Sequence, residues 1–384
     1  MFIKKLVSEN MSLVDYVFRL HQEQKICPDS FVVDLDQTIL NAQAILDEAK
    51  KYGIRLYFML KQIGRNPVIA QELMKIGYDG AVAVDFREAE IMIDNNIKIG
   101  NVGHIVQIPT CLLRKVISAR PEIITVYSLE KIKQINEVAK ELNLVQAIMI
   151  RMIDDTCTIY DSQVGGFTKE DLPNLADEIK KLSNVRLEGV TSFPCFLFNE
   201  KSKQIEALPN AKLVYEAKTI MSNYGFAITN INMPSATCVD SIHKIAAAGG
   251  TSAEPGSSFT GQTPLHAIKT QSEKISQCYL TEVSHNYKNK SYCFGGGHYR
   301  RSHVANALVG KSASSYKIVG VNPLKEESID YHFELNQPCF VGDSVIMCYR
   351  SQVFVARSDV VIVKGLKTGN PEIVGVYDHL GRKR

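Results

Sequence analysis

Lys61 directly follows the apolar run RLYFML at 55–60. An ammonium at the end of such a strand projects into partly dry surroundings, where desolvation lowers a lysine's pKa toward nucleophilic use and imine formation. From the position alone, a lysine solvated at a strand end is the alternative. Two other stretches have the chemistry to hold an anion. Residues 248–258, AGGTSAEPGSS, form a Gly/Ser-rich element whose backbone N–H groups and hydroxyls suit a phosphate. Residues 232–237, NMPSAT, offer a similar hydroxyl-bearing turn at the start of a helix. Singly, each also reads as a capped helix start or a plain loop; together they point to a phosphate site.

The elements that must position these residues alternate along the chain. A strand is expected at 31–35 (FVVDL), followed by helical spacing over 37–52 at Ile39, Ala42, Ile45, Leu46 and Ala49. Eight further strands are expected at 55–60, 80–84, 104–108 (HIVQI), 123–127, 147–152, 187–193, 228–232 and 251–254. Helical stretches separate most of them, at 67–77, 86–95, 110–118, 128–142, 169–182, 205–223 and 236–247, with Asn66-Pro67 a good cap and first-turn pair for the first. A doubly wound open sheet permits the same alternation, but the count of eight favours a (β/α)8 TIM-type barrel. Function would then lie at the C-terminal ends of the strands. In order these carry Lys61, Asp85, Gln107, Tyr127-Ser128, Arg151, Ser192-Phe193, Asn232 to Ser235, and Glu254-Pro255-Gly256.

Past residue 270 the helical period stops. Apolar β-rich runs at 277–283, 291–294, 317–321, 331–335, 344–349, 353–356, 360–363 and 372–377, with a polar turn at 286–290, predict a mainly antiparallel C-terminal β domain. The expected organisation is an N-terminal extension (1–30, with a helix in 12–24), a barrel with its preceding strand (31–270), and the β domain (271–384).

Over 384 residues, 44 Lys and Arg against 41 Asp and Glu leave a net charge of +3, too balanced for an electrostatic nucleic-acid binder. At 45% hydrophobic and 22% charged, the composition is that of an ordinary soluble globular protein. Nine scattered cysteines without a CxxC or zinc spacing read as reduced thiols. The opening residues lack an apolar signal core, and no run approaches the ~18 apolar residues of a membrane span. A cytoplasmic protein with neither nucleic-acid nor membrane partners is expected. His298 and His303, five apart, are too weak a signal for a metal site.

The sequence resembles the fold-type III pyridoxal phosphate (PLP) enzymes, the alanine racemase-like family. The signs are Asp34-Leu35-Asp36 on the pre-barrel strand followed by Asn41, Lys61 after the first barrel strand, the Glu254-Pro255-Gly256 loop, and the trailing β domain. Within the family it is most similar to the YhfX-type branch, through TGQTPLH at 260–266, TEVSH at 281–285 and YCFGGG at 292–297. The resemblance implies PLP as cofactor, Lys61 as the lysine that holds it, and phosphate contacts from Ser235, Gly256 and Ser257. It further implies an amino-acid substrate, action at its Cα, and a homodimer with the active site across the interface.

Racemases of this family usually carry an Arg where this chain has Glu254, whereas the decarboxylases of the fold carry Glu-Pro-Gly there. A carboxylate facing the pyridine nitrogen keeps the ring protonated and makes the cofactor a stronger electron sink. Arg151 is similar to a decarboxylase arginine near the cofactor; a strand-end salt bridge is its alternative. The family's second acid/base, a β-domain Tyr of the partner subunit, falls on Phe294, which has no proton to give. Cys293, His298 and Tyr299 are the candidate substitutes. The family's ring-stacking His falls at Ser192 or Phe193, which leaves Phe193 to stack. The expected activity is amino-acid racemisation, with decarboxylation or another lyase reaction second. A non-catalytic PLP-binding protein is a rival that the β domain argues against, and a cofactor-free barrel enzyme using Asp85 and Lys61 is a further alternative.

Overall fold

A computed structural model describes residues 2–384. The chain forms two compact units, each discontinuous in sequence: a barrel unit (43–60 and 70–256) and a β unit (the chain up to residue 42, 61–69 and 257–384).

In the barrel unit eight parallel strands close on themselves. In ring order they are Asn230–Asn232, Ser252–Ala253, Arg55–Phe58, Gly80–Ala83, Ile99–Val102, Ile123–Val126, Gln146–Arg151 and Val185–Thr191. Closure decides between the barrel and the open sheet that the alternation alone permitted. Seven strands fall where apolar β-branched runs predict them, and one does not. The stretch HIVQI at 104–108 is not a strand; Ile99–Val102 takes that place in the ring, pairing with the strands at Ala81 and Ile123. Its Gly100 and Asn101 give it a weak local β signal, and tertiary packing overrides that. A Cβ on Gly100 would stand 2.2 Å from Tyr57 Cδ1, so the missing side chain is the space the tyrosine ring fills.

Helices follow most strands, among them Pro67–Ile76, Phe86–Asp94, Leu129–Glu141, Leu172–Lys180, Pro209–Asn223 and Val239–Ala247. The stretch expected as one helix over 205–223 instead begins with half of a hairpin, Phe196–Asn199 against Gln204–Ala207, and the helix starts at Pro209. Buried polar groups bridge the barrel. The Tyr57 hydroxyl donates to Glu122 Oε1 at 2.6 Å and accepts from Asn230 Nδ2 at 3.2 Å. Burial alone would raise the Glu122 carboxyl, but Tyr57 and the cations Arg55 and Lys98 hold it below the usual range.

The β unit is a nine-stranded sheet ordered Lys290–Phe294, His332–Leu335, Lys317–Asn322, Asn306–Gly310, Ser344–Met347, Gln277–Tyr287, Ser30–Asp34, Asp359–Lys364 and Glu372–Tyr377. The long strand Gln277–Tyr287 pairs with Ser344–Met347 through Tyr279–Glu282, then with Lys290–Phe294 from Val283 onward, so one end of the sheet curls back on itself. The strand Ser30–Asp34, expected with the barrel, is hydrogen-bonded here, antiparallel to Gln277–Tyr287 and parallel to Asp359–Lys364.

The N-terminal segment is no mere extension. Helices Phe2–Glu9 and Met11–Gln22 bury Leu6, Leu13, Val14, Val17 and Phe18 against Cys278, Leu280, Ile346 and Val361 of the sheet. The expected strand at 353–356 is a single 3-10 turn, Val353–Val355, and Asn306–Gly310 is a strand that the sequence reading passed over. All nine cysteines are free thiols, and among the described residues no helix is long and apolar enough to cross a membrane.

Candidate active site

The C-terminal ends of the barrel strands converge on Glu254. Its side chain is fully buried, and one oxygen accepts from Asn101 Nδ2 at 3.2 Å, while His104 Nε2 lies 3.5 Å from the other. Asn101 is fixed in turn, because its Oδ1 accepts from Thr125 Oγ1 at 2.8 Å. Two neighbouring strands, Ile99–Val102 and Ile123–Val126, thus hold the carboxylate that follows a third, Ser252–Ala253. His104 and Asn101 had no role in the sequence reading, since misplacing the strand at 104–108 put Gln107, not Gly103-His104, at the strand end. Gln107 instead donates to the carbonyls of Gly103 and Thr125, both at 2.9 Å, and braces the turn.

Arg151 is almost completely buried at the end of its strand. Its guanidinium lies over the Tyr127 ring, 4.8 Å from the centroid, donates from Nη1 to the Tyr127 hydroxyl and from Nη2 to the Gln163 carbonyl at 2.8 Å. The Tyr127 hydroxyl donates onward to the His104 carbonyl at 2.7 Å. Burial raises the Tyr127 phenol, and Arg151 opposes it. Nε of Arg151 is buried without a hydrogen-bond partner among the described residues. The alternative of a strand-end salt bridge does not appear among the ion pairs of the described residues; an aromatic hydroxyl and a carbonyl accept from the two Nη groups instead.

Phe193 meets the His104 ring edge-on at 5.4 Å and Tyr160 at 5.8 Å, so it forms one apolar wall beside the buried pair. Ser192 is structural: its hydroxyl donates to the Met152 carbonyl at 2.9 Å and accepts from Asn210 at 3.0 Å. Ser235 and Ala236 both have positive φ, +85° and +51°. Two consecutive non-glycine residues in that region mark a constrained turn of the kind found at ligand sites. The turn is tied to the last strand, because the Glu254 N–H donates to Thr237 Oγ1 at 3.4 Å. Asp85 is the N-cap of Phe86–Asp94, accepting from the Glu88 N–H at 2.8 Å.

The Met59 N–H donates to the Pro255 carbonyl at 2.9 Å, which joins the end of the first strand to the Glu254-Pro255-Gly256 loop. Lys61 comes two residues later and opens the 3-10 turn Lys61–Ile63. In the β unit its Nζ lies 6.0 Å from the centre of the Phe354 ring. Ser257 begins the turn Ser257–Thr260, and the neighbouring Ser258 hydroxyl is buried without a hydrogen-bond partner among the described residues.

Of the three acid/base candidates in the β unit, Cys293 is sealed in the sheet. Burial pushes its thiol up to about 12. His298 is half-buried, its ring lowered by burial against the opposing charge of Asp330, and its Nδ1 has no hydrogen-bond partner among the described residues. The Tyr299 hydroxyl accepts from Arg301 Nε at 2.8 Å. Phe294 is part-exposed and stands 6.3 Å from His332. Among the described residues no group of three or more His, Cys, Asp or Glu is placed to hold a metal.

The alanine racemase N-terminal domain family matches residues 33–264, and the YhfX-like C-terminal domain family matches 278–373. This chain belongs to the alanine racemase family, in its YhfX-like branch. The YhfX protein of Escherichia coli (strain K12) is 38% identical over 383 residues, covering 99% of both chains. Among solved structures, the family fold recurs in a D-threonine aldolase from Filomicrobium marinum (TM-score 0.67, 14% identity, 92% of this chain and 95% of that one). It recurs in diaminopimelate decarboxylase from M. jannaschii (TM-score 0.67, 14% identity, 96% and 93%). Alanine racemase from Clostridium difficile 630 also shares it (TM-score 0.62, 16% identity, 91% and 98%).

Within the barrel unit the donor set fits PLP: a buried, hydrogen-bonded carboxylate suits a protonated ring nitrogen, and the Ser235-Ala236 turn suits an anion. In the β unit, Lys61 is a primary amine and the Ser258 hydroxyl is a buried polar group without a hydrogen-bond partner among the described residues.

Proposed function

We propose that this chain is a PLP-dependent enzyme acting at Cα of an amino acid, with racemisation as its reaction. The observation that carries the PLP and Cα-chemistry part of the reading is Glu254, a carboxylate buried at the end of the last barrel strand and held by Asn101 beside His104; racemisation rests on the family match alone. When bound, PLP supplies a conjugated ring that takes up the electron pair left at Cα when a bond there breaks.

The residues act around that chemistry. Lys61 would hold the cofactor through Nζ and move the Cα proton on one face. Glu254 would hold a proton at the ring nitrogen. Ser235, Gly256 and Ser257 would take the phosphate, Phe193 would supply an apolar surface for the ring, and Arg151 with Tyr127 would supply a fixed positive charge to the site. His298 would take the Cα proton on the opposite face, as a ring whose burial favours the neutral form can, and Lys61 Nζ would return one from its own face. The reading includes a cytoplasmic homodimer whose β domains contribute to each other's sites.

A Cα lyase reaction such as decarboxylation is the second reading, and Glu254 itself favours it, because a strongly electron-withdrawing ring allows bonds other than Cα–H to break. The test is the visible spectrum of the purified protein before and after borohydride, with peptide mapping of the adduct, followed by incubation with amino acids in D2O. A trapped adduct on Lys61, with deuterium at Cα and loss of chirality, is the expected result. Carbon dioxide or a keto acid released instead moves the lyase reading to the front. Colourless protein that takes up no PLP overturns both.

A further inference from the structure

Glu254 meets two different polar side chains of the barrel unit, an amide at one carboxylate oxygen and an imidazole at the other. Burying an ionised carboxylate is costly without compensation. Here the amide of Asn101 meets one oxygen at 3.2 Å and an imidazole meets the other at 3.5 Å, with the His104 and Glu254 side chains both fully withdrawn from solvent. The histidine is held from three directions: its strand ends at Val102, its carbonyl accepts from Tyr127, and its ring abuts Phe193 edge-on. A histidine fixed this tightly against a carboxylate can store a proton and stabilise the charge beside it.

We propose that His104 is a positioning residue that keeps Glu254 ionised inside the barrel by holding a proton at Nε2 against Oε2, and so controls how firmly Glu254 retains a proton at the PLP ring nitrogen. The proposal rests on reading Glu254 as the partner of that nitrogen. Titratable or charged groups of the barrel unit close to the pair include Tyr127 and Arg151 behind His104, and Cys195, whose thiol interacts with both Glu254 and Arg151. Burial dominates the Cys195 thiol and raises it, leaving it neutral, and Arg151 is committed to Tyr127 and Gln163. His104 Nε2 stands at ion-pair distance from Glu254 Oε2, placed to exchange a proton with it.

Four variants decide it: His104→Gln, which keeps an N–H donor but cannot carry the proton, His104→Phe, which keeps the ring shape alone, Glu254→Gln, and the double variant that combines His104→Phe with Glu254→Gln. The first readout needs no cofactor. In urea unfolding of PLP-free protein, the His104→Phe and Glu254→Gln effects should couple by about tenfold or more in the unfolding constant. Additive effects overturn the pairing. The second readout is the pH midpoint of the visible band of bound PLP. His104→Gln, folded and still binding PLP, should shift it by about one pH unit or more. If Gln restores the wild-type midpoint, His104 serves only as a hydrogen-bond donor and the proton-holding role is overturned. Wild type that binds no PLP overturns the cofactor reading, while the coupling measurement still reports on the pair.

Discussion

The ring of Tyr57 occupies the position a side chain on Gly100 would need: a Cβ there would stand 2.2 Å from Cδ1 and 2.6 Å from Cε1. Tyr57 belongs to the first barrel strand and Gly100 to the third, so the glycine permits the tyrosine to cross the interior and reach Glu122 and Asn230. Gly100→Ala should therefore destabilise the barrel by about 1–3 kcal/mol through overpacking. Tyr57→Phe,Gly100→Ala would not recover it, because the clash is with the ring. Thermal and urea denaturation of the two variants check this.

Asp29 gives the β unit a pH-dependent stability. Burial raises its carboxyl to about 6 from an ordinary 3.8, against the Ser358 and Tyr279 hydroxyls that donate to it. The protonated acid is the form the fold prefers, so this contribution is fully present below the unfolded value and is lost as pH rises through about 6. The loss between pH 4 and 7 is about 1–3 kcal/mol. Asp29→Asn should flatten the stability profile across that window in urea melts; an unchanged slope would assign the pH dependence to another group.

Replacing the three acid/base candidates singly should separate them. His298→Asn should slow Cα proton exchange for one enantiomer by about 10²-fold or more while leaving the other closer to wild type. Cys293→Ala should leave exchange unchanged and lower stability by about 1 kcal/mol, since its buried thiol stays protonated. Tyr299→Phe removes only a hydroxyl that accepts from Arg301. Deuterium uptake into each enantiomer, followed by mass spectrometry, reads all three.

Arg151→Lys keeps the charge and loses the planar stack on Tyr127. A lysine at a stacked, multiply hydrogen-bonded position is not a conservative change. The variant should lose about 1–3 kcal/mol of stability, because the Tyr127 hydroxyl and the Gln163 carbonyl give up their donors. Calorimetry on cofactor-free protein checks it, and stability equal to wild type would mean that the guanidinium contacts contribute nothing net.

Local pattern alone determined much of this protein. Apolar β-branched runs alternating with 3.6-period stretches are set by which faces must be buried, so seven barrel strands and most helices are legible without any partner in view. The Lys61 position and the Glu254-Pro255-Gly256 loop follow from the same reading. Tertiary structure decided what depends on non-local partners. Gly100 and Asn101 make a poor strand locally, yet Ile99–Val102 is chosen because Tyr57 fills the gap that Gly100 leaves and Asn101 binds Glu254 from across the barrel. His104 became visible only with that strand in register. The strand Ser30–Asp34 likewise carries no local mark of its sheet; pairing with Gln277–Tyr287 and Asp359–Lys364, more than 240 residues away, assigns it. Periodicity records burial, whereas register and the meeting of distant side chains are fixed only when the whole chain packs.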